Sequence, residues 1–272
     1  MKALAVAVLV ASCVGFASVP ARAETAAETY ANARAALNKG AANDAIDRME
    51  LLADQGVVNA DASILRAAAY LARAEGSSAR PGDLGRAAAA LSEALQLRPD
   101  DAEAERGLEA VQAEIARRRS KQQESVVVRP RLSRAIAALL PEQVWAVLAL
   151  LCSLAVALGV VLRRLAQASL LRLTGTVAIS VGSALTLVFG GGAYAAEHFR
   201  INSQAAVVVV PEARLTNEQG RNLPSKRGAD TTTVPEGATV YVRERRDERC
   251  LVEWGSTDGW LRVSEVRVLG TR

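Results

Sequence analysis

Apolar and polar positions follow three different rhythms along the chain. From Glu24 to about Arg119, alanine and leucine recur at helical spacing, with no alternation that would suggest a strand. Two uninterrupted apolar runs come next. Val144 to Leu162 is 19 residues without a charge, and Thr174 to Ala196 is 23. At 1.5 Å per residue the shorter run reaches about 28 Å, enough for a hydrocarbon core of about 30 Å. Beyond His198 the rhythm shortens to that of strands. Val207–Val210, Thr231–Val234, Ala238–Glu244, Arg249–Trp254, Gly259–Val263 and Val266–Leu269 are β-rich runs, separated by turn signals such as Pro235-Glu236-Gly237 and Ser256-Thr257-Asp258-Gly259.

These rhythms predict a multidomain chain: helical repeats over 24–119, a basic juxtamembrane linker over 120–141, transmembrane helices over 142–163 and 173–196, a loop over 164–172, and a small all-β barrel over 205–272. Leu132 to Leu140 is predicted as a short interfacial helix ahead of Pro141. Residues 1–23 predict a signal peptide: Met1-Lys2 is a positive start, Ala3–Ala17 an apolar core, and Ala21-Arg22-Ala23 a small-residue cleavage site between Ala23 and Glu24. Val10-Ala11-Ser12-Cys13 allows a lipoprotein reading instead, and either route exports the chain from residue 24 onward.

Charge sharpens the membrane reading. The net charge is only +4, but the basic residues flank the apolar runs. Residues 117–134 hold seven Lys/Arg and one acid, and the loop between the runs holds Arg163, Arg164 and Arg172. That loop favours the cytoplasmic side, which agrees with exported flanking domains. Trp145 and Tyr194 then fall at the outer ends, where amphipathic rings prefer to sit. Neither run contains Asp, Glu, Lys, Arg or His, which argues against transport or proton relay. Each carries small residues every fourth position: Ala149, Ser153 and Ala157 in the first, Gly182, Thr186 and Gly190 in the second. Such faces admit close approach, either of the two helices to each other or of another membrane protein.

In the helical region, Leu65, Ala68, Ala69, Leu84, Ala87, Leu91, Ala94, Leu95 and Pro99 occupy small and large positions that resemble a tetratricopeptide (TPR) repeat, with Gly76–Pro81 inserted between its helices. Ala33, Ala36, Gly40, Ala42, Ala45, Met49 and Leu52 resemble a second, looser copy. Asp101 to Arg119 would cap the stack, and a plain alanine-rich bundle is the competing reading. The resemblance implies a concave face carrying Tyr30 and Arg34 in the first repeat and Arg66, Tyr70 and Arg73 in the second, suited to an acidic peptide segment. An ordinary solvated helix face is the alternative.

At the other end, Pro235–Val242, Cys250–Trp254, Asp258-Gly259-Trp260-Leu261 and Val266 resemble a bacterial SH3-like domain, while Arg214–Asp230 departs from that family's usual loop. Tyr241, Trp254 and Trp260 are then either a binding patch or core.

Little in the sequence supports catalysis. The sole histidine, His198, stands beside an apolar run next to Glu197. No Cys/His spacing suits zinc, and Gly190-Gly191-Gly192 lies within an apolar run with no Lys-Ser/Thr after it. Neither a catalytic residue nor a cofactor or metal site is assigned, and no nucleic-acid module accompanies the basic run. Cys13, Cys152 and Cys250 fall in three separate regions, so no disulfide framework is expected.

Signal, TPR-like repeats, two-span hairpin and SH3-like domain, in that order, resemble the BatE-like membrane proteins of bacterial aerotolerance (Bat) operons. The resemblance implies a non-enzymatic, inner-membrane scaffold with periplasmic domains, working with von Willebrand A-domain membrane proteins and a MoxR-type ATPase. Two other readings are a peptidoglycan-binding anchor that recruits envelope enzymes and a sensor reporting through the hairpin. The ten residues Arg163–Arg172 between the spans leave the sensor no output domain.

Overall fold

The computed structural model describes residues 25–120, 131–165, 168–224 and 232–270. The leader read over 1–23, its cleavage point at Ala23 and Glu24, and most of the basic linker lie outside the described residues. Among those described there are eight α-helices, two of them long and apolar, and a small antiparallel β-structure. The chain divides into two compact units, residues 1–58 and 59–272.

The first unit contains α1 (Ala26–Asn38) and α2 (Ala42–Asp54), packed on each other. Thr25 and Glu28 form a reciprocal capping box at the start of α1. Gly40, at φ 77°, ends α1 in a Schellman turn: its N–H reaches the Leu37 carbonyl and the Ala41 N–H reaches that of Ala36. Ala33, Ala45, Ile46, Met49 and Leu52 fill the interior, with Tyr30 half-buried and Arg34 exposed.

The second unit begins with α3 (Ala60–Glu75), α4 (Asp83–Leu97) and α5 (Ala102–Ser120), with α4 packed against both neighbours. Alanine supplies many of the buried positions of α3 and α4. α6 (Leu132–Ala137) is a short helix ahead of the apolar pair α7 (Glu142–Leu165) and α8 (Ser169–Asn202). α7 and α8 are long and apolar enough to cross a membrane. They pack on each other and turn their large side chains, such as Leu150, Leu154, Leu158, Leu187 and Val188, outward.

Their contact line follows glycines. A Cβ on Gly159 would lie 2.9 Å from the Gly175 carbonyl oxygen, and one on Gly175 would lie 2.7 Å from that of Gly159. Gly182 meets Val156, and Gly192 meets the Trp145 ring. Of the small residues singled out from spacing, Gly182 is therefore in the seam. Ser153 and Ala157 are exposed, Ala149 and Thr186 are half-buried, and Gly190 has open space around it.

Strand β1 (Gln204–Val208) starts after only Ser203 and lies inside a five-stranded sheet, paired on both sides. Its partners are β4 (Thr239–Arg246), β5 (Arg249–Trp254), β6 (Thr257–Arg262) and β7 (Val266–Val268), in the order β6-β5-β4-β1-β7 with antiparallel pairing throughout. β2 (Glu212–Arg214) and β3 (Thr233–Pro235) form a second, two-stranded sheet. Ala206, Val208, Leu215, Val234, Val240, Val252 and Leu261 belong to the shared core.

The N-terminal turn of α4 is seated directly on β1 and the residues after it. A Cβ on Gly82 would come within 2.0 Å of the Val209 carbonyl oxygen, and one on Gly85 within 2.6 Å of that of Val208. The Gly85 N–H donates to Glu236 Oε1 at 2.8 Å, across 151 residues of chain. Gly82 also has φ 88°, a left-handed conformation that disfavours any residue with a side chain. Replacing Gly82 by Ala is expected to cost at least about 2 kcal/mol, since strain and a backbone clash coincide. Thermal unfolding of the detergent-solubilised protein, with limited proteolysis between α5 and α6, checks this. An unchanged melting temperature would mean that α4 does not sit on β1.

Candidate functional site

The most constrained polar cluster in the second unit surrounds Glu253. Strand alternation turns Cys250, Val252 and Trp254 into the core, which leaves Leu251 and Glu253 on the outer face of the sheet. Tyr241 on β4 and Asp258 on β6 pair with Glu253 in register and share that face. The pairing of β4 with β5 slips between Val242 and Glu244, and this bulge holds Arg243.

Glu253 is nevertheless only 1% exposed, because arginines close over it. Arg243 donates to Oε2 from Nη2 at 2.6 Å and from Nε at 3.1 Å. Arg134, on α6, donates from Nη2 to Oε2 at 3.2 Å and from Nε to Oε1 at 3.4 Å. Its Nη2 also reaches Ser203 Oγ at 3.2 Å. The Arg134 guanidinium lies 3.6 Å from the Tyr241 ring centre and 4.5 Å from that of Phe199 on α8. A planar guanidinium suits this position, because it contacts aromatic faces while donating in its own plane. Arg131 adds a bond to Asp258 Oδ2 at 3.0 Å and a longer ion pair to Glu253 at 4.0 Å.

Burial pushes the Glu253 carboxyl up, but the hydrogen bonds and charges of Arg134 and Arg243 outweigh it. The group sits below its ordinary value of 4.5. The cluster thus joins β4, β5 and β6, the short helix α6 and the last turns of α8 through one ionised carboxylate. It is a structural clamp at the root of the apolar hairpin.

The same end carries further ties. Arg200 on α8 donates to Glu142 on α7, with Nε to Oε2 at 2.7 Å. Trp145 donates from Nε1 to the Ala137 carbonyl at 3.4 Å. His198 lies on the outer turns of α8, with its ring 6.1 Å from that of Tyr194 and its Nδ1 2.9 Å from Asn202 Nδ2.

Of the residues expected to line a repeat groove, Arg34 is exposed and Tyr30 half-buried, whereas the three from the second repeat turn inward. Arg66, Tyr70 and Arg73 are buried. Arg66 pairs with Glu93 on α4, and Arg73 donates from Nε to Asp83 Oδ2 at 3.0 Å and from Nη2 to Oδ1 at 2.5 Å. Asp83 is 1% exposed and also accepts from the Arg80 N–H at 2.8 Å. These groups fasten α3 to α4 and do not form an open basic surface.

The three aromatics of the sheet also separate. Trp254 is core, and its indole Nε1 finds no acceptor among the described residues. Tyr241 belongs to the clamp. Trp260 borders two clefts, of about 440 and 530 Å³, and lies under the Arg246 guanidinium at 5.5 Å. Arg249 lines both clefts, with Arg214 and Glu265 in the first and Glu218 and Asp247 in the second. Their mixed charge selects no single ligand class. Among the described residues, no three His, Cys, Asp or Glu side chains gather where a metal ion would be held.

Replacing Glu253 by Gln keeps the shape and removes the charge that Arg134 and Arg243 share. The expected loss is about 2 kcal/mol. Because the folded-state value is lowered, Glu253 contributes stability above its ordinary value, and that contribution is lost as pH falls through the lowered value. Melting curves between pH 6 and about pH 3 are expected to fall more steeply for the natural protein than for E253Q. Parallel curves would remove the clamp from the stability of the fold.

No family model, curated protein or solved structure matches the chain.

Proposed function

We propose that the chain is a non-enzymatic, membrane-anchored scaffold whose folded parts lie on the periplasmic side of a bacterial inner membrane and bind protein partners. One arrangement carries the reading. An apolar hairpin that turns its large side chains outward holds the β-structure at one end, and α3–α5 are attached to that structure through α4. An outward apolar surface of this length needs a hydrocarbon environment. The opposite end has Arg163, Arg164 and Arg172, the pattern expected of a cytoplasmic turn.

In this reading, α1 with α2 and α3 with α4 are two TPR-like repeats, α5 is their cap, and the seven strands form an SH3-like barrel. The partners are von Willebrand A-domain membrane proteins and a MoxR-type ATPase, in stress tolerance or envelope quality control. That part rests on the resemblance to BatE-like proteins and on the order of the segments. With Arg66, Tyr70 and Arg73 engaged internally, the surface proposed for partners is the exposed side of the helices, which includes Arg34.

The test is crosslinking of the tagged full-length protein in cells, purification of membranes, and mass spectrometry of what is attached. A variant lacking residues 25–58 is the control. A-domain membrane proteins and a MoxR-type ATPase are expected, and are expected to diminish in the control. Recovery of cell-wall material or wall enzymes alone would replace the scaffold by a peptidoglycan-binding anchor.

A further inference from the structure

The short helix α6 has two unlike sides. On α6, Leu132 and Ile136 fall within about 40° of each other when 100° is allowed per residue, and Leu139 follows on the turn after Ala137. Arg134 and Ala137 fall on the other side. That other side is fully used: Arg134 is held between Tyr241 and Phe199 and bonded to Glu253, and Ala137 is buried and accepts from Trp145. The large aliphatic side chains of this segment are exposed. Leu132 is 80% exposed, Ile136 52% and Leu139 71%.

Three large aliphatic side chains on a two-turn segment are not left in water without consequence. Two observations identify what covers them. First, the segment leads through Pro141 directly into α7, where Val144, Val147, Leu150 and Leu151 are exposed as well. Second, the polar side of α6 is fixed to the sheet by paired arginines, so the helix cannot roll to hide its stripe without breaking the clamp.

We propose that α6 lies in the plane of the membrane, with Leu132, Ile136 and Leu139 inserted at the boundary between lipid headgroups and acyl chains. This rests on the hairpin spanning the bilayer. The helix then serves as a strap: its lower side is held by lipid and its upper side by Glu253, so the sheet is held at a fixed height above the membrane. The occupant is the lipid surrounding the hairpin, and the driving force is burial of the aliphatic stripe.

The strap can be tested by depth-dependent quenching. The full-length protein, in a Cys13→Ala/Cys152→Ala background, is reconstituted into vesicles of three parts phosphatidylcholine to one part phosphatidylglycerol. Single cysteines introduced as Ile136→Cys, Leu139→Cys, Leu187→Cys or Gln219→Cys are labelled with an environment-sensitive fluorophore. Cys250 stays unlabelled, because it is buried and its thiol is pushed up to about 11. Nitroxide lipids, with the spin label at the headgroup or deep in the chain, are then added.

Labels at 136 and 139 are expected to quench at least about twofold more with the headgroup nitroxide than with the deep one. The label at 187, midway along α8, is expected to show the reverse, and the label at 219, on a turn of the β-structure, is expected to be quenched by neither. If 187 behaves as expected while 136 and 139 match 219, the strap is wrong and the spanning hairpin survives. If 187 is also unquenched, the hairpin reading itself fails, and the strap falls with it.

Discussion

The tie between the sheet and the short helix α6 depends on one buried charge. Glu253 sits on the outer face of a sheet strand, where a carboxylate ordinarily meets water. Here it is covered, and an ionised group in such a place is tolerable only with full compensation. Arg243 supplies part of that from the neighbouring strand, and Arg134 the rest from a helix more than a hundred residues earlier. Removing either guanidinium leaves the carboxylate short of donors, so α6 must stay beside β5. Since Arg134 also lies over Phe199, the outer turns of α8 are drawn into the same arrangement. Apolar contact alone would let these elements slide. A carboxylate shared between two guanidinium groups fixes direction as well as proximity.

The second seam of this unit works by removing side chains. Gly82 and Gly85 bring the first turn of α4 against the backbone after β1, and Gly237 leaves room for Ile115 of α5. With alanines along most of α4, the helical layer lies close to the sheet, and the half-buried Glu236–Gly85 hydrogen bond registers the two. Ser203 is the only residue between α8 and β1. The sheet is therefore held by a helix entering its strand β1, by the arginine clamp on its face, and by α4 against the backbone at the end of β1. Three attachments of different chemistry leave little freedom for the β-structure to swing about the hairpin.

Much of this architecture can be read from hydrophobic period. The apolar runs become α7 and α8, the β-branched segments become strands within a few residues of their expected limits, and the segment before Pro141 becomes α6. What period cannot show is which distant group compensates a polar residue inside a pattern. Cys250-Leu251-Val252-Glu253-Trp254 reads as an ordinary half-buried strand with a solvated glutamate, because its partner Arg134 is 119 positions away. Arg131 and Arg134 in turn resemble membrane-flanking charges. Arg66 and Arg73 look like a ligand-facing row, although Glu93 and Asp83 on the following helix take them inward. The hairpin seam has the same difficulty. Any face with small residues is a candidate, and only the register of the two helices selects Gly159, Gly175, Gly182 and Gly192.

The distribution of attachments bears on how the proposed scaffold works. α7 ends at Leu165 and α8 begins at Ser169, so the far turn of the hairpin has no room for a folded element. All the folded material of the second unit is tied to the near end, by Glu253, by the Arg200–Glu142 pair and by the Trp145–Ala137 hydrogen bond. A signal passed down the hairpin would arrive at a turn with nothing to move. A load applied to α3–α5 instead reaches the membrane through β1 and the clamp without crossing a flexible joint between described elements. On the proposed reading, such a design holds partners at a set position above the bilayer.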